Sequence, residues 1–302
     1  MKKSRFLFAL LQLVGALIWG LAFAFQSIGM EKVGPFTFSA VRFAMAAVVV
    51  FAFSFVHDRY GNAGKDPEAC SWKNKKLWRA GIIIGVLLSL ASNLQQIGIL
   101  KTDSVGKAGF ITAMYIVIVP VMGLFLKRKI GINVWIGIVL AVIGLYFLTM
   151  SGSLTVTAGD LYLIGCAVVF ALQILAIDSF SGEYDSVKLA FIEFLTVTVT
   201  SAVFMFALED VKMSSIMAAM IPLLYAGVLS GGIAYTIQII CQSRIEPYVA
   251  SILMSAEALF SVLGGFLLLH QRLTSRELTG SILMFAAIMI VQIVPDKKKE
   301  KI

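Results

Sequence analysis

Ten runs of roughly 20 mostly apolar residues follow one another along this chain, separated by short polar breaks, and that spacing decides its solvent. A helix of such length crosses the ~30 Å hydrocarbon core of a bilayer at about 1.5 Å per residue. Hydrocarbon offers no partner to a backbone N–H or C=O, so a spanning segment is either a helix or a strand of a closed barrel. Barrel strands alternate over ~10 residues, and these runs do not. The composition agrees, with 59% apolar and only 14% charged residues and a mean hydropathy of +0.93. A water-facing surface calls for about 25% charged residues. The chain is therefore read as an all-α, polytopic membrane protein whose solvent is the lipid bilayer.

The runs are Phe6–Ile28, Phe36–Val56, Trp78–Leu100, Gly106–Leu126, Gly131–Met150, Gly159–Ile177, Val187–Leu208, Met217–Cys241, Pro247–Leu269 and Leu278–Val294. The first follows Met1-Lys2-Lys3-Ser4-Arg5 and exceeds the ~7–15-residue core of a signal peptide, so it reads as a retained span. The longest break, His57 to Leu77, carries Arg59, Lys65, Lys73, Lys75 and Lys76, and no break accommodates a soluble domain. Cys70 lies in that basic loop, Cys166 and Cys241 lie inside apolar runs, and no CxxC spacing occurs. Neither a disulfide framework nor a metal site is expected, and no cofactor. The net charge of +8 does not point to nucleic acid, because the basic residues flank spans instead of gathering on one soluble surface. With the N-terminus inside, the inner breaks and tails hold 18 Lys and Arg and the outer ones 6. That bias places both termini in the cytoplasm, at the cell (inner) membrane.

The halves can be laid over each other. A shift of 151 residues sets Trp19-Gly20-Leu21 on Phe170-Ala171-Leu172 and Arg42-Phe43 on Glu193-Phe194. A shift of 143 sets Leu94-Gln95 on Ile237-Gln238, Lys129-Ile130 on Arg272-Leu273 and Gly137 on Gly280. Each half holds five spans, an odd number, so the second half sits inverted in the membrane. Two inverted five-helix repeats are the plan of many secondary transporters, where a site between the halves opens to alternate sides. A duplication kept for packing alone is the other reading.

Several short motifs point the same way. Trp19-Gly20, the stretch Lys107-Ala108-Gly109-Phe110-Ile111-Thr112 with Pro120 behind it, Ser255-Ala256-Glu257-Ala258-Leu259-Phe260, and Leu268-Leu269-His270-Gln271-Arg272-Leu273-Thr274 resemble the drug/metabolite transporter superfamily, in particular its ten-helix EamA-type members. Gln271 departs from the glutamate usual before that arginine, and Arg128 departs at the matching position of the first half. The resemblance implies one five-helix repeat at residues 1–152 and a second at 153–302 that ends in a basic cytoplasmic tail. It also implies export or exchange of a small metabolite through a central cavity, with the fifth helix of each half peripheral. It names no substrate, since such motifs mark the scaffold. A homodimer is compatible with it.

Three ionisable residues lie well inside spans: Arg42, its repeat mate Glu193, and Glu257 near the midplane. A charge at the bilayer centre costs at least about 2.5–3.5 kcal/mol on insertion scales, so each should face the bundle interior. Either Arg42 and Glu257 form a permanent structural pair, or they meet opposite charges on a solute. Glu193, left over, is then the candidate for proton or cation coupling. Polar and aromatic stripes at helical spacing mark one face of three spans: Trp19, Phe23 and Gln26; Ser89, Asn93 and Gln96; Tyr235, Gln238 and Gln242. Trp19, Phe23, Arg42, Asn93, Gln96, Tyr235, Gln238 and Glu257 are the candidate substrate-binding residues, suited to a small amphipathic solute such as an amino acid. Hydrogen bonding across helix contacts is the alternative role for the amides. Pro120 and Gly264-Gly265 are candidate hinges, and Gly81–Gly85 and Gly227–Gly231 are GxxxG contact surfaces. The chain has no HExxH, Gly-x-Ser-x-Gly or P-loop pattern, and its two histidines, His57 and His270, sit at span ends. The expectation is a permease and not an enzyme, with a passive channel as the alternative.

Overall fold

The computed structural model describes residues 2–60, 71–102, 105–150, 156–262 and 274–293. Among them every regular element is helical. Eight helices are long and apolar enough to cross a membrane. They are built on α1 (Lys2–Met30), α2 (Pro35–Tyr60), α3 (Lys75–Lys101), α4 (pieces Val105–Thr112 and Tyr115–Phe125), α5 (Ile132–Thr149), α6 (Ala158–Phe180), α7 (Ser186–Leu208) and α8 (Met220–Gln242). A shorter apolar helix, α9 (Pro247–Val262), and α10 (Ser275–Ile293) bring the order to ten. The hinge candidates Gly264 and Gly265, with His270, Gln271 and Cys70, lie outside the described residues.

Local chemistry sets where helices begin. Asn74 accepts from the amides of Lys76 and Leu77 at the start of α3, and Asp185 from those of Val187 and Lys188 at the start of α7. Thr157 and Asp160 form a reciprocal capping box at the start of α6. Each satisfies amides that a helix's first turn leaves without partners. Pro247 opens α9, where its missing N–H costs nothing.

The inverted repeat is visible as matched contacts. α2 lies along α7, and each end of that pair is fastened by an acid at one helix's C-terminus reaching the other's first turn. Glu209 accepts from the Phe36 and Thr37 amides at 2.8 Å each and from the Thr37 hydroxyl at 2.6 Å. Asp58 meets Lys188 Nζ at 2.8 Å. The shift of 151 that pairs Thr37 with Lys188 also pairs Asp58 with Glu209. α5 and α10 pack on each other to one side. Gly144 approaches the Gly280 carbonyl and Gly137 the Ala287 carbonyl, and the shift of 143 exchanges those two contacts.

Glycines also set the crossings nearest the buried charges. A Cβ on Gly85 would stand 2.8 Å from the Glu193 carbonyl oxygen, and one on Gly227 would stand 2.9 Å from that of Arg42. So α3 presses on α7, and α8 on α2, at the backbone of the two mates. The GxxxG pairs are helix contacts.

Two helices are interrupted near the middle of the bundle. α4 breaks at residues 113–114, and α9 breaks at 255–256 before resuming over 257–262. A shift of 143 carries Ala113 onto Ala256, so the breaks are mates. Pro120 sits within the second piece of α4; its ring crowds the carbonyl of Ile116, one turn back and close to the break. In α9 the hydroxyls of Ser251 and Ser255 bond the carbonyls of Tyr248 and Ile252, offering the backbone a local alternative. α8 is wound as a π-helix from Tyr225 to Tyr235, a form that concentrates at functional sites.

Candidate functional site

A cavity lies among α1, α2, α3, α4, α6, α8 and α9, lined by Trp19, Phe23, Gln26, Arg42, Tyr235 and Glu257 together with residues from both broken helices. Thr112 and Tyr115 flank the break in α4, and Met254 and Glu257 flank that in α9. Discontinuous helices bring free backbone and polar side chains to the midplane, which is how transporter sites are commonly built. Phe170, the repeat mate of Trp19, is also in the wall. Trp19 meets Tyr235 edge-on at 5.0 Å between ring centroids, and Tyr115 meets Phe170 edge-on at 6.4 Å. Five rings, of Trp19, Phe23, Tyr115, Phe170 and Tyr235, stand in the wall.

Arg42 enters the cavity from α2 with its guanidinium 4.7 Å from the Phe43 ring centroid. Its NH1 donates to Gln26 Oε1 at 2.9 Å, and the same oxygen accepts from Gln96 Nε2. Nε and NH2 of Arg42, and the indole N–H of Trp19, are buried with no partner among the described residues. A guanidinium carries five N–H donors, so most of its capacity faces the cavity unused. No carboxylate among the described residues pairs with it, and the Arg42–Glu257 ion pair weighed from the sequence is not formed. Glu257 lines the same cavity with no ion-pair partner among those residues. Gly20 brings α1 against the Glu257 backbone, where an added Cβ would stand 2.7 Å from its carbonyl oxygen.

The other candidates separate into two groups. Asn93 donates to Ser201 Oγ at 3.0 Å and to the Ser89 carbonyl at 2.9 Å, so it bridges α3 and α7 instead of lining the cavity. Gln238 belongs to a second buried network. Glu193 Oε1 accepts from Gln173 Nε2 at 2.9 Å, and Gln173 Oε1 accepts from Gln238 Nε2 at 3.3 Å. Gln238 Nε2 also reaches Gln242 Oε1 at 3.1 Å. Glu193 Oε2 and Gln238 Oε1 are buried without partners among the described residues. Gln95, Thr112, Tyr115, Phe170, Ser230 and Met254 are lining residues that the polar stripes did not single out. Phe170 was legible as the mate of Trp19, and Gln95 lies on unbroken α3 beside the stripe residue Gln96; Thr112, Tyr115, Ser230 and Met254 depend on the helix breaks and the π-helix, which carry no simple periodicity.

The model of a family described as the EamA-like transporter family matches residues 6–150 and again 157–293. An "Uncharacterized transporter" of Archaeoglobus fulgidus is 27% identical over 284 residues, covering 92% of this chain and 83% of that protein. "Uncharacterized transporter YoaV" of Bacillus subtilis is 22% identical over 284 residues, covering 91% and 92%. A solved structure described only as the crystal structure of a protein shares the fold with a TM-score of 0.77 at 16% identity, covering 95% of this chain and 96% of that one.

Proposed function

The chain belongs to the EamA-like transporter family, and from that premise we propose that it is a secondary transporter moving a small zwitterionic metabolite with an apolar or aromatic body, such as an amino acid, by alternating access. One observation carries the reading: Arg42 and Glu257 face one aromatic cavity without pairing to each other. Two opposite, unpaired charges in a membrane interior are expensive, and a ligand bearing the complementary pair relieves both. The α-carboxylate goes to Arg42 and the Trp19 indole N–H, the ammonium to Glu257, and the side chain to the rings of Phe23, Phe170 and Tyr235. A cavity that sets one cation and one anion among aromatic rings suits a small zwitterion with an apolar body.

Glu193, which does not line the cavity, is the coupling residue in this reading, taking a proton or a cation. Export or exchange across the cell membrane, with both termini in the cytoplasm, follows the Lys and Arg distribution and the family resemblance. The test is counterflow in proteoliposomes across a panel of amino acids, amines and carboxylates. Accumulation of labelled solute against its gradient, abolished by Arg42→Gln and by Glu257→Gln, is expected. Flux that only dissipates a gradient would replace the transporter by a passive facilitator.

A further inference from the structure

The two buried polar networks are built to one plan. In each, a charge on the second helix of a half holds a glutamine on the first, and that glutamine is held by a glutamine on the third. In one half these are Arg42, Gln26 and Gln96; in the other they are Glu193, Gln173 and Gln238. Arg42 and Glu193 coincide under the shift of 151, and Gln238 falls on Gln95, the neighbour of Gln96. Gln173 falls on Ala22, one helical turn from Gln26. The networks differ in charge and in state. Both networks are buried, but Arg42 and Gln26 line the cavity whereas Glu193 and Gln238 do not.

At the charged members the contrast is plain: Arg42 leaves donors without partners, Nε and NH2, and Glu193 leaves an acceptor, Oε2; the glutamines Gln96 and Gln238 each leave an Oε1. A proton on Glu193 turns one carboxylate oxygen into a single O–H donor. An ammonium group carries several N–H donors and can serve both Glu193 Oε2 and Gln238 Oε1. Aromatic rings stand close by: Phe194 follows Glu193 in sequence and lies 6.3 Å from the Tyr235 ring centroid. Such faces attract organic cations.

We propose that Glu193, Gln173 and Gln238 form a second half-site, closed in this structure, that receives the ammonium group of the solute from the face of the bundle bearing Asp58 and Lys188. This rests on the alternating-access reading above and adds a polarity to it. From one face the solute is met by a cation, Arg42; from the other, by an anion, Glu193. Phe43, Phe194 and Tyr235 stand between the two half-sites, and each transport step passes the solute from one to the other.

The test uses purified full-length protein in nanodiscs, with phenethylammonium and phenylacetate as separate probes read by thermal stabilisation. In a Glu257→Gln background the ammonium probe still stabilises the protein. Adding Glu193→Gln weakens its apparent affinity about tenfold or more, while the response to phenylacetate is kept and shows that the variant is folded. Unchanged ammonium affinity on Glu193→Gln, or its complete loss on Glu257→Gln alone, overturns the half-site. Sidedness is read by placing a cysteine at Gln238 in a chain whose native cysteines are replaced by serine. The membrane-impermeant trimethylammonioethyl methanethiosulfonate should then react faster than its sulfonatoethyl counterpart, and from the Asp58 face. Equal rates, or reaction from the other face alone, overturn it equally. Counterflow by the wild type keeps the two readings apart. Exchange that persists while the ammonium effect ignores Glu193 retains the transporter and removes only the half-site.

Discussion

Phe43 and Phe194 occupy the same position in the two halves of the chain and touch each other, their ring centroids 5.9 Å apart. Contact between repeat mates happens only on the axis that relates the halves, so this pair marks it. Each ring follows a buried charge, Arg42 or Glu193, in sequence. The rings thus fill the space between a cationic and an anionic network. The end fastenings by Glu209 and Asp58 keep α2 and α7 together around this pair.

Those fastenings differ in kind: one caps a helix, the other is an ion pair. Glu209 makes three hydrogen bonds, two of them to first-turn amides of α2. Glu209→Ala should cost about 1–2 kcal/mol, in the range of a lost helix cap. Asp58→Ala should cost about 1–3 kcal/mol, because the Asp58 side chain is 35% exposed but the Lys188 side chain that loses its carboxylate is only 4% exposed. The sites lie at opposite ends of the α2–α7 pair, so the double variant should be additive. Thermal unfolding in detergent measures all three.

The glycine crossings give a graded test of packing. An added Cβ at Gly85 or Gly227 meets backbone and Cβ atoms inside 3 Å, and neither helix can yield without moving its partner. Gly85→Ala and Gly227→Ala should each destabilise by about 1–3 kcal/mol, the usual cost of overpacking. At Gly109 no atom lies within 4 Å of the added Cβ. Gly109→Ala should be neutral or stabilise by up to about 1 kcal/mol through helix propensity. Equal effects at all three positions would contradict these crossings.

Much of this arrangement was legible beforehand, for a physical reason. Spans announce themselves because lipid forces every segment that crosses it to be long, apolar and helical. A duplicated chain shows its repeat as offset matches, so Arg42 and Glu193 were paired before any coordinate. What stayed hidden depends on where a helix gives way. Pro120 drew attention as a bend, yet the interruption falls at residues 113–114, with a mate at 255–256 that has no proline to announce it. Tyr115, Thr112 and Met254 enter the cavity because of those breaks. Asn93 looked like a cavity residue because its stripe is polar, but a stripe does not say whether it faces a neighbouring helix or an open space.

Asn93 therefore separates stability from transport. Its bond to Ser201 joins α3 to α7, and interhelical hydrogen bonds in membranes are worth about 0.6–2 kcal/mol. Asn93→Ala should lower the unfolding temperature by an amount within that range and leave the apparent affinity for the transported solute within about twofold of wild type. A tenfold loss of affinity in a stable protein would place Asn93 in the solute pathway after all. Counterflow and thermal unfolding on the same preparation make the comparison.

Gln26 offers the opposite combination. Its carbonyl oxygen accepts the only side-chain hydrogen bond that Arg42 donates among the described residues, and it accepts a second from Gln96 Nε2. Gln26→Glu replaces the neutral acceptor by a carboxylate of the same shape, one bond away from an unpaired guanidinium. The new pair neutralises Arg42 from within, and charge-assisted bonds to arginine are roughly twice as strong as neutral ones. Stability should rise, since an uncompensated buried cation gains a partner. The guanidinium then no longer needs a carboxylate from the cavity, so affinity for carboxylate-bearing solutes should fall about tenfold or more. Amines that lack a carboxylate should be affected least, because they depend on Glu257. Higher unfolding temperature together with weaker carboxylate binding is the expected pair of results; unchanged carboxylate affinity in a stabilised protein would show that Arg42 does not hold the solute.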